Sequence, residues 1–216
     1  MLEQGNGLQH ADFSYNKISE IRLYIVLDSV IERIYHVAHL NLDGNIFKSY
    51  TYGRLASLLS HAVVLESVSL KKCKLGDDGL ISTFDAISSL KRLTKIDYSE
   101  NIITNRGLES ICPQIGAHIK SVLSELNFNH NEISDRGLKK FLFALEKRQN
   151  TLTKLSFIEN DITDDGGFYL YEWLKRFRTM NVSHNLNLVK FDLSYNKVMY
   201  KGLEDIESQL IINRKF

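Results

Sequence analysis

A single proline, Pro113, occurs in the 216 residues, and no stretch rich in proline, glycine or serine divides them. No linker between independent units is therefore expected, and residues 1–216 are read as one domain. Cysteine is almost missing: Cys73 and Cys112 are too few for the disulfide framework of a stapled secreted chain, which favours a reducing, intracellular (cytoplasmic) setting. No run reaches the roughly 18 apolar residues of a membrane span. The most apolar start, from Ile21 to Val37, is broken by Arg22, Asp28, Glu32 and Arg33. No basic segment with an apolar core follows Met1, so no signal peptide is expected. Charge of one sign is lacking as well. With 27 basic and 26 acidic residues the net charge is +1, so nothing draws the chain toward nucleic acid or an anionic membrane over long range.

Catalytic signatures are also missing. There is no glycine-rich phosphate loop, no G-x-S-x-G and no H-E-x-x-H. The seven histidines are not spaced with cysteines or carboxylates as a zinc site requires. Asp77-Asp78-Gly79 and Asp164-Asp165-Gly166 resemble the start of calcium loops but lack the later ligands, and are read as helix caps. No catalytic residue, cofactor or metal is expected.

What is present is a repeat. The pattern L-x-x-L-x-L-x-x-N-x-L appears as LTKIDYSENII at 93–103, LSELNFNHNEI at 123–133, LTKLSFIENDI at 152–162 and LVKFDLSYNKV at 188–198. Looser copies cover 8–18, 37–47 and 65–75, the last with Cys73 in place of asparagine. The asparagine slot falls at 16, 45, 73, 101, 131, 160 and 196, with gaps of 29, 28, 28, 30, 29 and 36 residues. Apolar residues at the fourth and sixth slots turn one face of a short strand inward. The asparagine at the ninth slot is suited to bond backbone groups of the turn that burial would otherwise leave unpaired. Cys73 fits the same slot as a small core filler. The residues after each strand read as helix: Leu138, Phe141, Leu142 and Leu145 recur at helical spacing behind Ser134, as do Leu108, Ile111 and Ile115 behind Thr104. Gly79, Gly107, Gly137, Gly166 and Gly202 are read as points of close strand-to-helix approach.

A strand plus a long helix in each repeat of 28 or 29 residues resembles the ribonuclease-inhibitor-like class of leucine-rich repeats, over almost the whole chain from Leu8 to about Leu210. The resemblance implies an α/β leucine-rich repeat solenoid, a horseshoe of about seven repeats. Parallel strands line its concave face and helices cover its convex face. The family includes ribonuclease inhibitor, the Ran GTPase-activating protein and the sensing regions of nucleotide-binding receptors, so it specifies a fold more than a function.

Two places strain the pattern. The 36-residue gap before Asn196 contains Phe168, Tyr169, Tyr171, Trp173 and Phe177, together with a competing partial repeat, FRTMNVSHN, at 177–185. Residues 188–196 are preferred as the true repeat because Leu203, Ile206 and Leu210 follow at helical spacing. The aromatics are either extra helix packing or a rim patch for a partner. The ends also lack polar capping repeats, which implies a piece of a longer repeat protein, or ends covered by weak self-association of an otherwise monomeric chain.

Slots three, five, seven and eight are expected to face the concave side. From them the partner-binding candidates are Tyr15, His39, Asp43, Lys72, Lys95, Asp97, Glu100, Glu125, Asn127, Asn129, His130, Lys154, Ile158, Glu159, Lys190, Asp192 and Tyr195. Tyr98 is set aside as a core residue, and His10 and His39 are expected beside each other on neighbouring strands. The expected function is protein–protein interaction on this face, with inhibition or regulation of the bound protein as its consequence. The alternatives are GTPase activation, by resemblance to the Ran activator, and a scaffold segment of a larger protein. The wealth of isoleucine, lysine, asparagine and tyrosine suits an AT-rich genome, so an effector of an intracellular bacterium, delivered into a host cell, is a further reading.

Overall fold

A computed structural model describes residues 9–16, 25, 29, 33–117, 122–146, 151–179, 188–199 and 211–213. The strands are β1 (His10–Asp12), β2 (His39–Asn41), β3 (Ser67–Ser69), β4 (Lys95–Asp97), β5 (Glu125–Asn127), β6 (Lys154–Ser156), β7 (Lys190–Asp192) and β8 (Ile211–Asn213). The helices are α1 (Ser49–His61), α2 (Gly76–Ile87), α3 (Asn105–Ala117), α4 (Asp135–Leu145) and α5 (Asp164–Thr179). A 3-10 turn at Ile34–His36 precedes β2. The strands form one open parallel sheet in chain order. Equivalent slots sit side by side: Val68 beside Ile96, Ile96 beside Leu126, Leu126 beside Leu155. Each helix returns the chain to the start of the next parallel strand, and α1 to α4 each pack on the helix that follows.

The repeat determines the core. In the fourth copy Leu93, Ile96, Tyr98 and Ile103 are buried, as are Leu108, Ile111 and Ile115 of the helix that follows. Each such side chain stabilises the fold by about 1.5–3 kcal/mol. At the sixth slot the rings of Tyr98, Phe128 and Phe157 stack across neighbouring repeats at 5.9 and 5.6 Å, and Phe191, from the fourth slot of the last copy, stacks on Phe157 at 5.9 Å. Phe141 meets Phe128 and Phe157 edge-on. The Tyr98 hydroxyl reaches Thr83 Oγ1 at 3.0 Å, which satisfies it in the core.

The asparagine slot joins one repeat to the next. Asn131 Oδ1 accepts from the backbone N–H of Asn101 and Ile103 in the preceding repeat, and its Nδ2 donates to the carbonyls of Tyr98, Phe128 and Asn129. Asn101 and Asn196 repeat the arrangement. Cys73 Sγ donates to the Leu42 carbonyl at 3.2 Å in place of an amide, and Phe47 N–H turns to the Cys73 carbonyl. Asn16 departs from the expectation of a buried ladder. It is exposed, because β1 is the sheet edge and among the described residues nothing stacks on its outer side.

The competing partial repeat at 177–185 begins inside α5, which runs through Thr179; its residues 180–185 lie outside the described residues, and the strand that pairs with β6 is Lys190–Asp192. The helix expected around Leu203, Ile206 and Leu210 lies outside the described residues, as does Phe177's side chain. Strand β8, parallel to β7, was not expected. The reading of the glycines also needs correction. Gly107, Gly137 and Gly166 make room for a side chain of the preceding repeat, not for a strand: a Cβ at each would collide with Asp77, Asn105 or Asp135 Oδ1 respectively. Of the two expected hydroxyl caps, Thr104 accepts from Arg106 N–H, as Thr163 does from Asp165 N–H, whereas Ser134 makes no side-chain cap bond to its own helix.

Candidate functional site

The exposed face of the sheet forms one open groove of about 700 Å³ that runs from His10 to Lys190. Its walls are the third, fifth and seventh slots, and its floor includes Leu40, Val68, Ile96, Leu126 and Leu155. Eleven of the expected residues line it: His39, Asp43, Lys95, Asp97, Glu125, Asn127, Asn129, Lys154, Ile158, Lys190 and Asp192. The six eighth-slot residues do not. Tyr15, Lys72, Glu100, His130, Glu159 and Tyr195 all have positive φ, between 52° and 59°. That conformation aims each N–H sideways. Tyr15, Lys72, Glu100, His130 and Glu159 donate to the seventh-slot carbonyl of the next repeat, at 2.7–3.0 Å. Their side chains therefore stand on the rim rather than in the groove. The left-handed backbone costs a non-glycine residue about 1–2 kcal/mol, which the lateral bonds offset. Gly44 holds the same slot, under the Tyr15 ring.

Groove residues that look alike in sequence do different things. Five fifth-slot side chains bond the N–H two residues ahead in their own repeat: Asp12 to Ser14, Asn41 to Asp43, Asp97 to Ser99, Asn127 to Asn129, and Asp192 to Ser194. The remaining two fifth slots are serines, Ser69 and Ser156. There the seventh slot of the preceding repeat takes over. Asp43 Oδ1 accepts from Lys71 N–H and Ser69 Oγ, and Asn129 Oδ1 accepts from Ile158 N–H and Ser156 Oγ. So Asp43, Asp97, Asn127, Asn129 and Asp192 hold the turns that shape the groove.

The side chains left for contact sit mostly at the third slot. Lys95 and Lys154 bracket one carboxylate oxygen of Glu125, at 3.2 and 2.9 Å. Burial pushes the Glu125 carboxyl up, but the two lysine bonds outweigh it and its pKa lies below the usual value. Both lysine side chains remain 56 % exposed. Lys190 lies 3.3 Å from Asp192. At the other end the rings of His10 and His39 stack at 4.4 Å, and His39 Nδ1 bonds Ser67 Oγ. Asp43 has its pKa raised, because burial outweighs the bonds from Ser69 and Lys71. On the rim, Glu100 is lowered by its bond with Lys71, 3.0 Å away, and His130 Nδ1 lies 3.1 Å from Glu159. Tyr15 and Tyr195 are more than half exposed at opposite ends.

Sequence reasoning passed over His10, Asn41, Ser67, Ser69, Lys71 and Ser156. The signal for the serines was present: each follows a repeat with Asp or Asn at the seventh slot. Arg106 and Arg136 lie at helix starts, bonded to Asp77 and Asp78 and to Glu109, away from the groove. Among the described residues no three His, Cys, Asp or Glu side chains are grouped to hold a metal ion. Nor, among them, is any helix long and apolar enough to cross a membrane.

Comparison with known proteins gives the same repeat. The family described as Leucine Rich repeat matches residues 61–82, 120–142, 148–170 and 184–206. The chain is 29 % identical over 162 residues to human "NACHT, LRR and PYD domains-containing protein 13", covering 74 % of this chain and 15 % of that protein. It is 30 % identical over 118 residues to mouse ribonuclease inhibitor, covering 54 % of this chain and 25 % of that protein. The chain thus spans a quarter or less of the length of these relatives. A solved structure of "Leiomodin-1 Actin-Binding Site 2 (ABS2)" shares the fold with a TM-score of 0.54 at 15 % identity, over 70 % of this chain and 88 % of that one. Parallel three-residue strands, returning helices and a side-chain ladder at the ninth slot place this chain among the leucine-rich repeat proteins, with repeats of the ribonuclease-inhibitor-like kind.

Proposed function

We propose that the chain is a protein-binding module that holds its partner on the concave face of the sheet and regulates it by occupying it. The observation that carries this reading is the division of labour in the groove. One set of polar side chains is tied to the turns, while Lys95, Glu125, Lys154 and Lys190 line the groove from the strands and pair there with one another and with Asp192. The strands fix the positions of these charges and the ion pairs hold their side chains in place, so a protein surface of matching charge gains specificity from them. The names of two similar proteins, a ribonuclease inhibitor and an actin-binding site, fit a binding role.

The test is affinity capture with the intact chain, read by mass spectrometry. Two variants are compared with it: K95E/K154E in the groove, and Y15A/H130A/Y195A on the rim. A stoichiometric partner lost by the groove variant, with the sheet still folded by circular dichroism, supports the reading. A partner held equally by both variants and the parent overturns it.

A further inference from the structure

The helices of the stack follow one register from their early glycines Gly79, Gly107, Gly137 and Gly166. Seven residues on stand Ala86, Gln114, Ala144 and then Trp173; six residues on stand Asp85, Pro113, Phe143 and Glu172. The last helix pair therefore breaks the repeat on both sides of one cleft, with a tryptophan on α5 and a phenylalanine on α4. Between them runs a groove of about 290 Å³ on the helical side of the molecule. Its α5 wall is Tyr169, Trp173 and Arg176, at helical spacing. Across it stand Lys139, Leu142 and Phe143. Trp173 is buried and forms the floor, whereas Phe143 stands 53 % exposed at the lip.

Charge closes both ends. Lys139 Nζ lies 4.0 Å from the centre of the Tyr169 ring, and Arg176 lies 3.2 Å from Glu146. Among the described residues Lys140 adds a third cation to the lining and Glu146 is the one carboxylate, so these residues give the groove a cationic surplus. The volume lies at the foot of the ~300–1,000 Å³ range of small-molecule pockets, and suits one large side chain.

We propose that this cleft is a second docking surface, for a short acidic peptide segment. One apolar side chain of the segment seats against Phe143, Tyr169 and Trp173, and its flanking carboxylates meet Lys139, Lys140 and Arg176. The charge surplus excludes a basic segment, and the exposed ring favours an apolar anchor over a purely ionic contact.

Trp173 is the sole tryptophan of the chain and reports on the site directly. The probe is an acetylated octapeptide of aspartate and glutamate with one central phenylalanine, titrated against the intact protein at low salt. Saturable change in tryptophan emission is expected, weakened about tenfold or more by K139E/K140E and by F143A, both surface changes. The same peptide with lysine for its acids, or glycine for its phenylalanine, is expected to give no saturation. Three results would overturn the proposal: no change in emission up to millimolar acidic peptide, equal binding of the lysine peptide, or titration unaltered by the variants. An acidic probe that binds only in the concave groove leaves the tryptophan signal unmoved and counts as the first of these. Failure here leaves the concave-face reading intact, since that rests on other residues.

Discussion

Asp135 Oδ1 occupies the place that a side chain on Gly166 would need. It accepts from the N–H of Gly166 at 3.0 Å and of Thr163 at 2.7 Å, so the first turn of α5 is capped by the helix before it. Glycine in a helix is normally worse than alanine by roughly 0.5–1 kcal/mol. Here the sign reverses. Gly166→Ala drives its Cβ into Asp135 and Ile162 and breaks the cap, at a cost of about 2–3 kcal/mol. Gly53, within α1, has nothing near its Cβ position, so Gly53→Ala gains about 0.5–1 kcal/mol. Urea midpoints at constant slope measure both. Equal effects of the two substitutions would refute the inter-repeat cap.

The ninth-slot ladder predicts unequal costs for residues that occupy the same slot. Asn101→Ala strips Cys73 and Leu75 N–H of their acceptor and three carbonyls of a donor, all in the core. The expected loss is about 3–5 kcal/mol. Cys73→Ala removes only weak sulfur donors and a small volume, for about 1–2 kcal/mol. Chemical denaturation of the two variants decides; comparable losses would mean the asparagine amide is not what ties the repeats together.

Burial pushes the Cys73 thiol up from the ordinary 9.0 to about 12, and the Cys112 thiol to about 11. The folded values lie above the unfolded ones, so these thiols support the fold fully below pH 9. That support is lost as pH rises toward 11 and 12, because the unfolded chain ionises first. Stability should therefore fall over this window, and less steeply in Cys73→Ala. Urea unfolding at intervals from pH 8 to 11 gives the slope. Thiol labelling at pH 8 should likewise follow unfolding rather than exposure in the native state.

The apolar slots were legible because burial admits few residue types there: Leu126 and Phe128 read correctly with no knowledge of their neighbours. The groove was less so. Asp97 and Lys154 both appear as polar residues on an outward slot, yet Asp97 bends back to Ser99 while Lys154 reaches out to Glu125. Which of the two a side chain does is decided by the turn and by the adjacent repeat, and a repeat read alone contains neither. The eighth slot was misplaced for a related reason. Its left-handed backbone serves a bond to the next repeat, and Tyr15, Lys72, Glu100 and His130 carry no residue-type mark of it. Strand β8 was invisible because Ile211–Asn213 has no recognisable repeat around it.

The serines at 69 and 156 supply the sharpest test of how the groove is shaped. Ile158 N–H depends on Asn129 of the preceding repeat because Ser156 is too short to turn back to it, whereas Asn127, with its longer amide, serves Asn129 N–H within one repeat. Asn129→Ala should thus cost about 1–2 kcal/mol by orphaning Ile158 N–H and Ser156 Oγ. Adding Ser156→Asn to that variant supplies an acceptor from within the same repeat, as Asn127 does, and should restore most of the loss. Ser156→Asn alone places two amides against one N–H and should gain nothing. The coupling follows from a double-mutant cycle in urea. If the two substitutions simply add, the exchange of acceptor between neighbouring repeats is not what holds the Ile158 turn.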